Sequence, residues 1–410
     1  MLRRLSRAAA PAASTRALLR VQPSTRAMSS VASFDLYTPT EEHGALREML
    51  ANFVKTKVDP QALEHDREEK FNVTLFRELG DLGLLGITAP EKYGGSEMDA
   101  LAAVIAHEEL SSSDPAFCLS FLAHSMLFVN NVARNASDAQ CAKYLPGACS
   151  GDKICGMGMS EPSVGTDVLG MRTTAKKSDC GKFYVLNGTK MWITNGAIND
   201  TELGDTFLIY ARTGNSGKAK DDFSSFIVEK GYEGFSLGQR IKDKCGMRAS
   251  NTAELVFENV KVPAENLIGR EGGAVLCMMR NLEIERVTLA AMSLGIARRS
   301  IEVMSNYAKE RTAFGVSLSS FGQTQKNIAE QLKLDSVGNR VDTDGVKLYC
   351  GDMAKRIADR AIQTLGGYGY VGEYNVERLW RDSKLLEIGG GTNESHHKNM
   401  VRDLATRDRI

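Results

Sequence analysis

The sequence predicts a mainly α-helical chain with a central β domain, and three observations carry that prediction. Apolar residues recur at three- and four-residue steps from about 40 to 150. From about 151 to 265 they alternate with polar ones, and from Gly273 onward the helical spacing returns. The expected units are therefore a helical domain over 40–150, an antiparallel β domain over 151–265, and a helical domain over 266–410. No internal repeat runs through them.

A leader precedes these units. Between Met1 and Phe34, Arg3, Arg4, Arg7, Arg16, Arg20 and Arg26 stand among Ala, Ser and Leu, and Asp35 is the first acidic residue. That composition is expected of a mitochondrial transit peptide over 1–34, with the mitochondrial matrix as destination. In the first unit Leu46, Met49, Leu50, Phe53 and Val54, then Leu75, Leu79 and Leu82, mark helix faces. Pro90 and Gly94-Gly95 break the run between helices. In the second unit Phe183 to Leu186, Asn187-Gly188 and Thr189 to Thr194 read as a hairpin, because Asn-Gly favours the two-residue turn that matches strand twist. Thr206 to Ala211, Phe226 to Val228 and Ala253 to Val260 read as further strands. The third unit ends in a glycine-rich break at 389–391. Within it, helical spacing from Phe321 lasts only about 12 residues before Asp335 to Asn339 interrupt it, about half of what a core-spanning bundle helix needs. The bundle is expected to be shortened near 331–342.

Composition excludes several functions. Lys and Arg together number 51, equal to Asp and Glu, so bulk charge offers no reason to expect nucleic acid as a partner. No apolar run of the sequence approaches the roughly 18 residues of a spanning helix, so no membrane span is expected. The eight cysteines are scattered, with no CxxC pair and no His at ligand spacing, so neither a metal site nor a disulfide scaffold is expected.

The most informative residue is Glu285. On the helix after Gly273, Met278, Leu282, Leu289, Met292 and Ile296 form one apolar stripe, and Glu285 fills its vacant step. Its neighbours one turn away, Asn281, Leu282, Thr288 and Leu289, carry no positive charge, whereas Glu283 can pair with Arg286 at i,i+3. A carboxylate buried without a local counter-charge has a raised pKa, the property of a working base. A cation from another helix is the structural alternative.

Two glycine-rich segments complete the list of candidates. Met157 to Val168 reads MGMSEPSVGTDV, a turn rich in backbone amides and hydroxyls that suits a planar or phosphorylated cofactor, or else a plain turn. Gly367, Gly369 and Gly372 form a formal GxGxxG, but it follows the helical run Asp352 to Leu365 instead of a strand, so the dinucleotide fingerprint is rejected and a helix end remains. His396-His397 reads as surface.

Seven strings then occur in order: PEKYGG (90–95), MSEPSVGTD (159–167), WITNG (192–196), CGMRASNTAELVFENVKVP (245–263), ERTAFG (310–315), LGGYGY (365–370) and EIGGGTNE (387–394). From about residue 40 to the C-terminus the chain resembles the flavin-dependent acyl-CoA dehydrogenases, and within them the isovaleryl-CoA dehydrogenase-like branch. The resemblance implies a helical N-terminal domain, an antiparallel β-barrel middle domain and a C-terminal helical bundle, with FAD bound between the three and a homotetramer. It implies α,β-dehydrogenation of a short or branched acyl-CoA thioester, with electron-transfer flavoprotein as acceptor. It places Met157, Met159, Ser160, Trp192, Ile193, Thr194, Arg311, Gln363, Gly366, Gly367, Thr392 and Glu394 at FAD. Gln323 stands in for a recurring Gln whose place is taken by Gly322. Thr166, Glu283, Arg286, Gly390 and Gly391 fall on the substrate side. The family carries its base either just before the Gly-Thr of the C-terminal loop, where this chain has Gly390, or on the first helix of the C-terminal domain, at the position of Glu285. Leu276 replaces a substrate-contacting Tyr of the isovaleryl branch. An acyl-CoA oxidase, a straight-chain dehydrogenase and a catalytically impaired family member remain as alternatives.

Overall fold

The computed structural model describes residues 38–216, 219–324 and 343–397. The N-terminal unit holds α1 (Glu41–Phe53), α2 (Asp59–Glu68), α3 (Val73–Asp81), α4 (Ala100–Ser111), α5 (Pro115–Leu122), α6 (Asn131–Asn135) and α7 (Asp138–Ser150). Short polar side chains start these helices by accepting otherwise unpaired backbone N–H groups. Asp99 accepts from Ala102 at 2.9 Å, Asp114 from Phe117 at 3.0 Å, and Ser137 forms a capping box with Gln140.

The middle unit is one eight-stranded sheet. Its strands are β1 (Cys155–Gly158), β2 (Thr174–Lys177), β3 (Phe183–Thr194), β4 (Thr206–Arg212), β5 (Phe223–Glu229), β6 (Phe235–Ile241), β7 (Thr252–Pro263) and β8 (Leu267–Ile268). The hydrogen-bonded order is β6-β7-β3-β2-β4-β5-β8, with β1 on β4. Most pairings are antiparallel, as expected. Those of β1 and β2 with β4 are parallel, a non-local choice that alternation along a single segment does not reveal.

The expected hairpin at Asn187-Gly188 is not formed. Residues 183–194 are one continuous strand, and Asn187-Gly188 is a bulge where the register against β7 shifts. Gly188 has φ +144°, and a Cβ there would lie 2.7 Å from Thr173 Cα. The Asn187 side chain accepts from Asn259 N–H at 2.8 Å, so a partner strand 72 residues away takes up what a local turn would have used.

Among the described residues, the main helices of the C-terminal unit are α8 (Ala274–Glu310), α9 (Thr343–Leu365) and α10 (Val376–Ser383). Helices α8 and α9 run parallel. Arg286 meets Asp344 at one end, and the Tyr307 and Tyr368 rings lie 6.3 Å apart at the other. The expected break in the bundle near 331–342 falls on 325–342, outside the described residues.

Helix α8 joins all three units. Leu289, Met292 and Ile296 enter the N-terminal core with Leu110 and Phe117, while Met278 packs with Met159 and Tyr210 of the β unit. Arg298 bridges Glu108 at 2.9 Å and Glu109 at 2.7 Å, locking α8 against α4. The helical run Pro115–Asn135 is, against expectation, long and apolar enough to cross a membrane, but 83% of its most apolar window is buried inside the protein. Its length emerges only because a π-helical turn joins two shorter helices.

Candidate active site

Burial of the α8 stripe draws Glu285 in with it. The residue retains 8% of its surface, and Oε2 finds no hydrogen-bond partner among the described residues. Desolvation raises its pKa to about 7, against the opposing fields of Arg286 and Lys347. The expected local pairing of Glu283 with Arg286 does not occur. Arg286 reaches across to Asp344 on α9 at 3.4 Å, and Glu283 is left exposed to water, because α9 offers Arg286 a less solvated carboxylate.

Facing the carboxyl is the glycine loop 389–391. Gly390 and Gly391 have φ of +65° and +109°. A Cβ built on Gly390 would lie 2.4 Å from Leu289 Cδ1 and 3.7 Å from Glu285 Oε1. The loop backbone therefore occupies the place beside the carboxyl that a side chain would otherwise take. Lys347 of α9, 1% exposed, donates to the Gly391 carbonyl at 2.8 Å. Burial brings its pKa down to about 8, against the opposing fields of Glu285 and Glu387. Thr392 caps the short helix 393–397 through Oγ1, which accepts from Ser395 N–H at 3.3 Å. His396, expected on the surface, is fully buried, because that helix docks its ring against Asp344 of α9. His397 and Glu394 are exposed.

The two candidate cofactor segments meet in space. Met191 N–H donates to the Ser160 carbonyl at 2.9 Å, and the buried Lys190 ammonium donates to the Met159 carbonyl at 3.1 Å and to Glu161 at 2.9 Å. A second bulge between Lys190 and Ile193 places Trp192 at φ +60° with 53% of its surface exposed. Ile193 is buried beneath it, while Met157, Ser160 and Thr194 are partly buried and Met159 is buried. Met278 and Leu282 of the α8 stripe pack into the cluster that holds Met157 and Met159, which brings this ledge to the Glu285 side. Thr166 is exposed on the loop that follows.

A second group lies elsewhere. Arg311, Gln363, Gly366 and Gly367 cluster at the far ends of α8 and α9, about 39 Å along α8 from Glu285 at the usual helical rise. All four are exposed, as is Gln323. Within one chain they are not part of the Glu285 site.

Sequence reasoning missed Lys347, Asp344 and Asn281. Lys347 shares a buried face of α9 with Cys350, Gly351, Ala354, Ala358 and Ala361, so the stripe argument that singles out Glu285 applies to it equally. Asn281, one turn before Glu285, accepts from Asn130 at 3.1 Å and keeps its own Nδ2 without a partner among the described residues.

Comparison with known proteins decides what this arrangement belongs to. The models of the acyl-CoA dehydrogenase N-terminal, middle and C-terminal domains match residues 40–152, 156–260 and, in two overlapping stretches, 272–334 and 327–405. The chain belongs to the acyl-CoA dehydrogenase family. Members of this family are oxidoreductases. A mitochondrial isovaleryl-CoA dehydrogenase of Oryza sativa is 39% identical over 397 residues, covering 92% of this chain and 94% of that protein. The butyryl-CoA dehydrogenase of Megasphaera elsdenii superposes with a TM-score of 0.82 at 34% identity, over 91% of this chain and all of that one. An acyl-CoA dehydrogenase of Bacillus anthracis solved with FAD superposes at 0.81 with 29% identity, over 89% of this chain and 68% of its own.

The residues present fit a planar flavin on chemical grounds. An exposed indole on a bulged strand supplies an apolar face, and the partly buried Met157 and Ser160 lie on the joined segment. The backbone of Gly390 lies beside the carboxyl, with space that no side chain fills.

Proposed function

We propose that this protein is an FAD-dependent acyl-CoA dehydrogenase acting on a short or branched acyl thioester, isovaleryl-CoA foremost, to give the 2-enoyl-CoA. The observation that carries the reading is the Glu285 carboxyl, buried, without a hydrogen-bond partner at Oε2 among the described residues, and facing the backbone of a glycine loop.

A thioester α-proton is too weakly acidic for a solvated carboxylate to remove. Glu285 works because it is desolvated, which raises its proton affinity, and because the charge developing on the thioester oxygen meets fixed donors. In this reading Glu285 takes the α-proton and the N–H groups of the 389–391 loop hold the carbonyl oxygen. FAD, when bound, supplies the acceptor for the β-hydride. Met157, Met159, Ser160, Trp192, Ile193, Thr194, Thr392 and Glu394 hold the cofactor within one chain. Arg311, Gln323, Gln363, Gly366 and Gly367 serve its distant end, which their separation from Glu285 makes a job for a neighbouring subunit of a homotetramer. Thr166 receives the pantetheine arm, and Gly390 and Gly391 border the acyl group. Arg286 acts through its pairing with Asp344, and Glu283 borders the entrance. Electron-transfer flavoprotein collects the electrons, and residues 1–34 direct the chain to the mitochondrial matrix.

The deciding experiment is Glu285→Gln. Purified variant is expected to be yellow, with the flavin content of the parent, and to show no bleaching when acyl-CoA is added anaerobically. Near-parental bleaching would remove Glu285 as base. A panel of isovaleryl, 2-methyl-branched, butyryl and hexanoyl thioesters in the parent enzyme then assigns the acyl chain. The competing reading, an impaired family member, draws on the two-part match of the C-terminal domain model; colourless protein without bleaching by any thioester supports it.

A further inference from the structure

We propose that Lys347 is a positioning residue for Glu285: by donating to the Gly391 carbonyl it holds a buried positive charge near the carboxyl but short of an ion pair, and ties the glycine loop in place. This rests on the reading of Glu285 as base.

Three observations support it. The ammonium is buried, and among the described residues its hydrogen bond goes to the Gly391 carbonyl at 2.8 Å; no carboxylate lies within ion-pair distance of it. Glu285 likewise has no ion pair among the described residues, yet each group feels the field of the other. A buried lysine and a buried glutamate that face one another ordinarily close into a bridge, because each relieves the desolvation of the other. Here the carbonyl of the loop intercepts the cation.

The spacing has a chemical use. A direct bridge would stabilise the carboxylate so well that it would lose its affinity for a proton, whereas no cation at all would leave the acid protonated at neutral pH. A cation held back by one carbonyl sets the base between these limits. The same bond fixes the Gly391 carbonyl, and with it the direction of the adjoining amides.

The other charged or titratable groups around Glu285 do not duplicate this. Arg286, on the same helix, exerts the larger opposing field at Glu285, but its hydrogen bond goes to Asp344 of α9 at 3.4 Å and not to the glycine loop. Asp344 also receives the His396 ring, whose pKa burial lowers, and Glu387 contributes a negative charge nearer Lys347. From β4, Tyr210 faces the carboxyl with its phenol pKa raised by burial, so it stays neutral, and burial likewise raises the Cys277 thiol.

The test uses flavin-loaded enzyme and three substitutions: Lys347→Met, Lys347→Gln and Lys347→Arg. The rate of flavin bleaching in a single turnover is followed against pH, and the Glu285 carboxyl is titrated by infrared difference spectroscopy, its band assigned by its loss in Glu285→Gln. In Lys347→Met the acid limb and the infrared titration are expected to move up together by about one pH unit, so that bleaching at pH 7 slows about five-fold. Lys347→Arg is expected to return both to the parental position. Lys347→Gln, which keeps a donor for the loop but no charge, is expected to show the shifted limb, and it serves if Lys347→Met does not fold. A limb and a carboxyl titration unmoved in whichever neutral variant folds, with parental flavin absorbance, overturn the proposal. Bleaching that persists in Glu285→Gln instead overturns the reading of the base itself, so the two failures are distinguishable.

Discussion

The behaviour of Glu285 as a single residue is set by the water it has lost. Folding moves its pKa from 4.5 to about 7, so the folded state favours the protonated acid. The consequence for stability has a definite sign. Below about pH 4.5 the group is protonated in both states and costs nothing; as pH rises the unfolded chain ionises first, and above about 7 the full cost is present. That cost is on the order of 3 kcal/mol, because each tenfold change in proton affinity is worth about 1.4 kcal/mol. Glu285→Gln is therefore expected to raise the melting temperature at about pH 8 and to leave it nearly unchanged at about pH 4, as read by calorimetry. Equal effects at both pH values would show that the carboxyl is not desolvated. The same ionisation governs activity in the opposite direction, since the base works only when unprotonated, so turnover should fall below about pH 7.

At the scale of the element, β3 shows how a strand acquires a functional shape. Its two bulges do different work: the one at Asn187-Gly188 lets the strand bend past Thr173, and the one before Ile193 turns Trp192 outward. Gly188→Ala would place a methyl group 2.7 Å from Thr173 Cα at a φ that L-residues avoid. It is expected to destabilise the fold by about 1–3 kcal/mol in denaturant unfolding. Behind Trp192, the buried Lys190–Glu161 pair joins the strand to the 159–161 segment, with Glu161 also accepting from Arg172 N–H, Thr173 N–H and the Thr173 hydroxyl. This full set of partners keeps Glu161 below the ordinary carboxylate range even though burial opposes it. Glu161 and Glu285 are both withdrawn from water, and only the one without partners is raised.

For the molecule as a whole, the far ends of α8 and α9 matter most, because the last turns of the two helices lie side by side there. The C-terminal family model meets this chain in two stretches that overlap on 327–334. Among the described residues, aromatic and apolar side chains gather on the surface at this end: Phe314, Val316, Tyr368, Tyr370 and Val371, with Phe314 96% and Tyr370 83% exposed. Exposure on that scale favours a subunit contact. Sedimentation of the flavin-loaded protein is expected to show a tetramer that Phe314→Glu together with Tyr370→Glu converts to smaller species with loss of flavin. A parent that sediments as a monomer with bound flavin would rule out a shared cofactor site.

Taken alone, the sequence determined the helical, β, helical order and the place of Glu285 on a buried helix face, because periodicity is a local property and a charge on an apolar stripe is visible wherever the stripe is. Lys347 was legible by the same rule. What only the tertiary structure decided is everything that depends on residues distant along the chain: that Asn187-Gly188 bends a strand instead of turning it, since β7 supplies the partner; that Arg286 leaves Glu283 for Asp344; that His396 is buried; and that Lys347 stops at the Gly391 carbonyl. Each is a competition between a near partner and a far one. The outcome turns on which pairing leaves fewer buried polar groups unsatisfied, a quantity that exists only once the elements have packed.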